Sequence, residues 1–145
     1  ETIEMLRPVA EQKGLTLEGL IGEGPPRAMG DERLLRRMLT NLISNAMRFA
    51  PPGGSVLVEA MPGPEPDTAL LRVSDDGPGI PPEDRERIFL PFVQGPGEAG
   101  RGTGLGLALC REVAHAHGGR IWADDAVGGA GAVLSVLLPA AEPAS

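Results

Sequence analysis

Asn41, Asn45 and Arg48 stand at i, i+4 and i+7 in the segment NLISNAMRF, Asn41–Phe49. On a helix that spacing puts all three within one narrow arc. Asparagine is a poor helix former, because its side chain competes for backbone hydrogen bonds. Two stacked asparagines in an otherwise apolar helix leave two readings open. One is a solvated polar stripe. The other is a cleft where amide oxygens meet a metal ion and a guanidinium meets phosphate. Mg²⁺ suits the second, since it prefers oxygen ligands and commonly shares phosphate oxygens with them.

A second candidate is VSDDGPGIP, Val73–Pro81, which directly follows the strand-like ALLRVS. An aspartate at a strand end followed by Gly-x-Gly places a carboxylate among close backbone. Asp75 can accept a hydrogen bond from an exocyclic amine such as that of adenine. Gly77 and Gly79 would let a flat base approach the main chain. A plain turn accounts for the same residues, because Asp, Gly and Pro dominate turns. The carboxylate spacing of an EF-hand loop is missing.

The third candidate is GRGTGLGLAL, Gly100–Leu109, with glycine at every second position up to Gly106. Its right half is helix-forming. A glycine inside a helix costs about 1 kcal/mol relative to alanine, so the left half needs a reason. Glycines before a helix can wrap free N–H groups around an anion, and the helix dipole adds attraction. Two familiar phosphate motifs fail here. A P-loop needs Gly-Lys-Ser/Thr, and the one lysine is Lys13. A dinucleotide fingerprint would need its third glycine at Leu107 or Leu109.

Other chemistry-bearing residues read as structural. His115 and His117 fall in the last turn of a helix, where imidazole can meet terminal carbonyls, and neither has a metal-ligand partner set. Phe89 and Phe92 in RIFLPF read as core anchors for the loop that follows, and Cys110 as buried and inert.

The elements that must position these groups follow from periodicity and punctuation. Residues 1–13 form a short helix ending near Gly14. Thr16–Ile21 is a strand, and GEGPPRAMG a turn-rich connection. Asp31 caps a long helix to Phe49, whose apolar stripe is Leu35, Met38, Leu39, Leu42, Ala46 and Phe49. Residues 55–60 and 69–74 are strands around a Pro/Gly turn. Residues 82–87 make one or two helical turns, and 90–103 is an aperiodic loop. Residues 104–117 are a helix closed by Gly118 and Gly119. Residues 120–123 and 130–138 are strands, and 140–145 a disordered tail. The sum is an α/β (α+β) two-layer sandwich: a mixed, largely antiparallel sheet of about five strands covered by about three helices.

Composition bounds the rest. The 145 residues suit one domain and one core. Aromatics are 3% of the chain, so that core is aliphatic. The net charge of -7 excludes the basic face that a nucleic-acid binder presents. It also means that an anionic ligand must be held by local cations and backbone donors. One cysteine excludes an internal disulfide and fits a reducing compartment. No apolar run approaches the length of a membrane span, and no signal peptide is visible. The chain opens on Glu1 rather than Met, so a piece of a longer protein is expected.

Taken in order, the motifs resemble the catalytic, ATP-binding domain of bacterial sensor histidine kinases. DERLLRRMLTNLISNAMRFA resembles that family's N box, SDDGPGI its G1 box, DRERIFLPFVQ its F box and GRGTGLGLAL its G2 box. The resemblance spans most of the chain. It implies the Bergerat fold, shared with gyrase, heat-shock-90 and mismatch-repair ATPases. ATP and Mg²⁺ would be the cofactors. Asn45 would be the Mg²⁺ ligand and Asn41 its polar neighbour. Arg48 stands where lysine is common, and can still pair with phosphate through a different geometry. Phe49 would lie against the base and Asp75 would read the adenine amine, with Gly77, Gly79 and Ile80 shaping the pocket. Gly102, Thr103, Gly104, Leu105 and Gly106 would hold the phosphates. Residues 90–103 would be a mobile lid carrying Arg101 as a cation for the γ-phosphate.

The resemblance also implies what is missing. The phosphoacceptor histidine of such kinases sits on a dimerisation domain, and residues 1–13 resemble only the exit from it, leaving 14–139 as the catalytic domain. Partners would be ATP and ADP, that dimerisation domain and a cognate response regulator. The domain by itself would be a monomer. The setting would be cytoplasmic, either free or as the inner part of a membrane-anchored sensor. Three other functions compete: an ATPase of the same fold, an anti-sigma-type serine kinase, and a degenerate partner-binding module. The first two usually carry a glutamate base where this chain has Asn41, and an amide takes no proton at neutral pH. Intact Asn45, Asp75 and G2-box glycines argue against the third.

Overall fold

A computed structural model describes residues 2–21, 27–28, 31–90, 106–125 and 131–141. The order of elements is α1 (Thr2–Gln12), β1 (Thr16–Ile21), β2 (Arg27–Ala28), α2 (Glu32–Phe49), β3 (Ser55–Pro62), β4 (Thr68–Asp75), two single-turn 3₁₀ segments (Pro82–Asp84 and Arg87–Phe89), α3 (Gly106–Ala116), β5 (Arg120–Asp125) and β6 (Ala132–Ala141).

Five strands lie in the order β1-β3-β4-β6-β5, with β1 parallel to β3 and every other pair antiparallel. The expected mixed, largely antiparallel sheet is therefore present. Two details differ from the sequence reading. The two-residue β2 pairs with Ala140 and Ala141 inside the stretch read as pure turn. For the same reason β6 runs past Leu138. So short a bridge carries no periodicity, and only the meeting of two distant segments creates it.

The three helices cover one face of the sheet. Val56, Val58, Val73, Leu134 and Val136 project from the strands into an aliphatic core. Met38, Leu42, Ile43, Ala46 and Met47 of α2 meet them, with Cys110, Val113 and Ala114 of α3. Helix α1 joins the same layer through fully buried Ala10, with Ile3 and Leu6 packed beside it. On the opposite sheet face the Arg120 guanidinium sits 5.3 Å from the Trp122 ring centre.

Helix α2 begins as its sequence dictates. The Asp31 carboxylate accepts from the N–H groups of Arg33 (2.9 Å) and Leu34 (3.2 Å), and so satisfies two of the free donors of the first turn. Helix α3 ends in a Schellman arrangement, Gly118 N–H to His115 O and Gly119 N–H to Ala114 O.

Two contacts lock α2 to α3. The Cys110 thiol donates to Met38 O at 3.5 Å. His117 bridges the other ends: its Nδ1 is 2.7 Å from Val113 O, and its Nε2 accepts from the Asp31 N–H at 3.0 Å. This pairing fixes the neutral tautomer with the proton on Nδ1. The two contacts are seven residues apart on each helix, so α2 and α3 run antiparallel in constant register. Four residues back from Cys110, the first residue of α3, Gly106, falls level with Leu42, between Asn41 and Asn45.

Both residues behave as the sequence suggested, and both are testable. Burial pushes the Cys110 thiol up to about 12. At pH 8 it should ignore a water-soluble thiol reagent in the folded protein and react at once in denaturant. His117→Ala should lower stability by about 1 kcal/mol in urea unfolding, with an unchanged m-value, because an inter-helix hydrogen bond is lost and no cavity is made in the core.

Candidate functional site

The candidate site forms where the C-terminal end of α2 meets the ends of β4 and β6. Asn41 and Asn45 are half-buried on the α2 stripe and Arg48 is exposed one turn beyond. None of the three has a hydrogen-bond or ion-pair partner among the described residues. The stripe is therefore not consumed by internal structure, while its opposite side fills the core with Leu42, Ile43, Ala46 and Met47.

Asp75 ends β4 with its side chain on the inner, core-facing side, in line with Val73 and Val56. It is the only carboxylate among the buried residues described, at 8% exposure. Oδ1 accepts the Gly77 N–H at 2.7 Å. Burial raises the carboxyl above its ordinary value, the N–H groups of Gly77 and Ala132 oppose the shift, and the Asp76 charge adds to it. The adjacent aspartate does different work. Asp76 points outward and its Oδ2 accepts from the Ser55 N–H (2.8 Å) and hydroxyl (2.9 Å), tying the start of β3 to the end of β4.

Gly77 joins the two halves of the site. A Cβ there would lie 2.5 Å from the Phe49 carbonyl oxygen and 2.8 Å from Asp75 Oδ1. The loop after β4 thus crosses the last turn of α2 backbone to backbone, a distance that excludes any side chain. Phe49 is half-buried, and Ile80 packs on the core behind the loop. Arg85 holds the far side, with Nε to Ile80 O at 3.3 Å and a 2.8 Å ion pair to Asp125 at the end of β5. Phe89 is buried, as expected of a loop anchor.

The structure brings Gly77 against Phe49 and Asp75, with Gly79 beside Gly131 and Ile80 on the core, while Asn41, Asn45 and Arg48 lie on the same helix as Phe49 and Gly106 begins α3. Arg101, Gly102, Thr103, Gly104 and Leu105 lie outside the described residues, as do Phe92, residues 91–103 of the expected lid and residues 142–145. Two residues next to the site escaped the sequence reading, Arg85 and Gly131. Arg85 reads only as part of the helical turns 82–87 and of the F-box resemblance. Gly131 reads as part of the strand 130–138, whereas β6 begins one residue later at Ala132, and the partner of Gly131 is 56 positions away.

A half-buried amide stripe with no partners among the described residues, on a helix whose last turn is crossed by the loop of a buried carboxylate, fits a nucleotide polyphosphate with an oxygen-preferring cation. Residues 30–142 match the family model described as histidine kinase-, DNA gyrase B-, and HSP90-like ATPase. The chain belongs to that family. Within it, the likeness is to the catalytic ATP-binding domain of sensor histidine kinases. It is 40% identical over 139 residues to the histidine protein kinase DivJ of Caulobacter vibrioides, covering 94% of this chain and 23% of DivJ. It is 39% identical over 132 residues to the alginate biosynthesis sensor protein KinB of Pseudomonas aeruginosa, covering 91% of this chain and 22% of KinB. The chain thus spans about a quarter of these relatives.

Solved structures agree. The mycobacterial sensor histidine kinase MprB superposes with a TM-score of 0.81 at 32% identity, over 96% of this chain and 89% of that one. Full-length ShkA, solved in complex with AMPPNP, gives 0.85 at 33% identity over 99% of this chain and 29% of ShkA. The chain is thus an ATP-binding catalytic domain of the histidine kinase type. No helix among the described residues is long and apolar enough to cross a membrane.

The buried Asp75 sets a stability test. Because folding raises its pKa, the neutral form is favoured in the fold, and that contribution is lost as pH rises through the folded pKa. Above that pKa the ionised carboxylate is a net cost. Asp75→Asn should therefore melt no lower than the parent at neutral pH. The two proteins should converge in acid, where Asp75 is itself uncharged. Thermal melts across pH check both.

Proposed function

We propose that this domain holds Mg²⁺-ATP and presents its γ-phosphate to a histidine on a separate dimerisation domain, for onward transfer to a response regulator. The observation that carries this is the Asn41–Asn45–Arg48 stripe, which has no partners among the described residues and lies on the helix whose last turn the Asp75 loop crosses. The AMPPNP complex of ShkA, at 33% identity, supports a nucleotide as the ligand.

On this reading Asp75 accepts a hydrogen bond from the adenine amine, and Gly77 leaves room for the base beside the Phe49 backbone. Asn45 offers its amide oxygen to Mg²⁺, which when bound neutralises phosphate charge and orients the transferred group. Arg48 supplies a second cation. The first N–H groups of α3 from Gly106, with the helix dipole behind them, face the phosphates. Arg101 and Gly102–Leu105 belong to the same proposal through the family resemblance alone. Phosphoryl transfer depends on positioning and charge neutralisation more than on covalent chemistry by the protein. Asn41, one turn before Asn45, cannot take a proton from water, so the site is built to wait for an external acceptor. A cytoplasmic setting and a monomeric isolated domain complete the proposal.

The test is transfer in trans. With radiolabelled ATP this chain by itself should show negligible self-labelling and very slow hydrolysis. Adding its dimerisation segment as a separate polypeptide should yield acid-labile, alkali-stable phosphohistidine on that segment. Asn45→Ala should abolish the transfer while circular dichroism stays unchanged. Rapid hydrolysis by the isolated chain, or label on His115 or His117, would overturn the assignment.

A further inference from the structure

Gly131 occupies a place that no other residue type could fill. It is buried, directly precedes β6, and has φ +91°. A Cβ built there would lie 1.8 Å from the Asp75 carbonyl oxygen, 2.9 Å from its carbonyl carbon and 3.2 Å from Asp76 Cα. The Gly131 backbone therefore lies flat against the main chain that bears the Asp75 carboxylate. Its other side meets the loop, since a Cβ at Gly79 would come within 3.2 Å of Gly131 O. The next residue, Ala132, is the register partner of Asp75 across β4 and β6, and its N–H faces the carboxylate.

A strand start that only had to pair with β4 would not need this approach. Main-chain hydrogen bonding holds neighbouring strands about 4.8 Å apart and leaves room for Cβ atoms on both. Gly131 instead sits between the end of β4 and the Gly79 turn and touches both. It sets how deep Asp75 lies and where its carboxylate points.

We propose that Gly131 is a positioning residue for base selection: wedged between the Asp75 main chain and Gly79, it fixes the carboxylate where it meets the 6-amino group of adenine. This rests on the base-reading role of Asp75 proposed above. Any side chain at 131 must push the end of β4 away by more than an ångström, because the obstacle is backbone and cannot rotate aside. A hydrogen bond to a charged acceptor tolerates little such displacement. The atoms nearest to a Cβ at 131 all belong to Asp75 and Asp76 and none to α2 or α3, so the loss should fall on the base and spare the phosphates.

The experiment compares the affinities of ATP and purine-riboside triphosphate, which lacks only the 6-amine, for this chain with Mg²⁺ present. The parent should prefer ATP by about tenfold or more, the effect of one hydrogen bond to a charged group. Gly131→Ala should bring the two affinities to within about threefold of each other, mainly by weakening ATP. Gly79→Ala, which presses on Gly131 O from the other side, should lose a smaller part of the preference. It decides the question if Gly131→Ala does not fold. A folded Gly131→Ala that keeps the full preference, or that loses both nucleotides equally, overturns the proposal, as does an intact preference in Gly79→Ala. Asp75→Asn separates the two claims. If it leaves the preference intact, the base-reading role itself is wrong. If it abolishes the preference while Gly131→Ala does not, only the role of Gly131 falls.

Discussion

Everything at this site depends on one close approach, the crossing of the loop after β4 over the last turn of α2. Gly77 passes the Phe49 carbonyl at a distance that excludes a Cβ. That contact ties the loop that follows the Asp75 strand to the end of the helix that carries the amides and the guanidinium. The helix end is held by core packing of Met38, Leu42, Ile43 and Ala46 against the strands. The strand end is held by its ladder to β6 and by Asp76, which ties Ser55 to the same corner. Neither half could move without straining main chain, and cores of this kind are dense enough to transmit such strain.

The corner carries a thermodynamic cost. A buried carboxylate is an expensive group unless hydrogen bonds offset its desolvation. Here the Gly77 and Ala132 N–H groups offset part of it, and Asp75 remains raised above its ordinary value. Other buried polar groups of the described chain are quieter, such as Ser135 on β6. A residue that destabilises the fold and is kept in a site lined by unpartnered polar groups marks function better than either feature does separately.

The second organising feature is the fixed register of α2 and α3. His117 and Cys110 pin the two helices at their far ends and middle. The near ends carry Asn45 and Gly106, and their register is set without a direct bond between them. A ligand that bridges them is held by two helices whose relative sliding is already suppressed at a distance.

Much of this was legible in the residues alone. The strands and helices announce themselves by periodicity, Asp31 by capping chemistry and residues 118–119 by their glycines. The candidate residues stood out because asparagine inside a helix and alternating glycine before one are locally unfavourable. Local cost is a signal that sequence can carry. What it could not carry is which residues pay that cost to one another across the chain. Gly77 reads as turn chemistry until Phe49 is beside it, and Gly131 as one more strand residue until Asp75 is. Arg85 reads as part of a helical turn until β5 ends at Asp125, and β2 as loop until β6 passes it. Each of these depends on contacts between segments far apart in sequence. Only the packing of the helical layer on the sheet decides them, because excluded volume acts between neighbours in space and leaves no period along the chain.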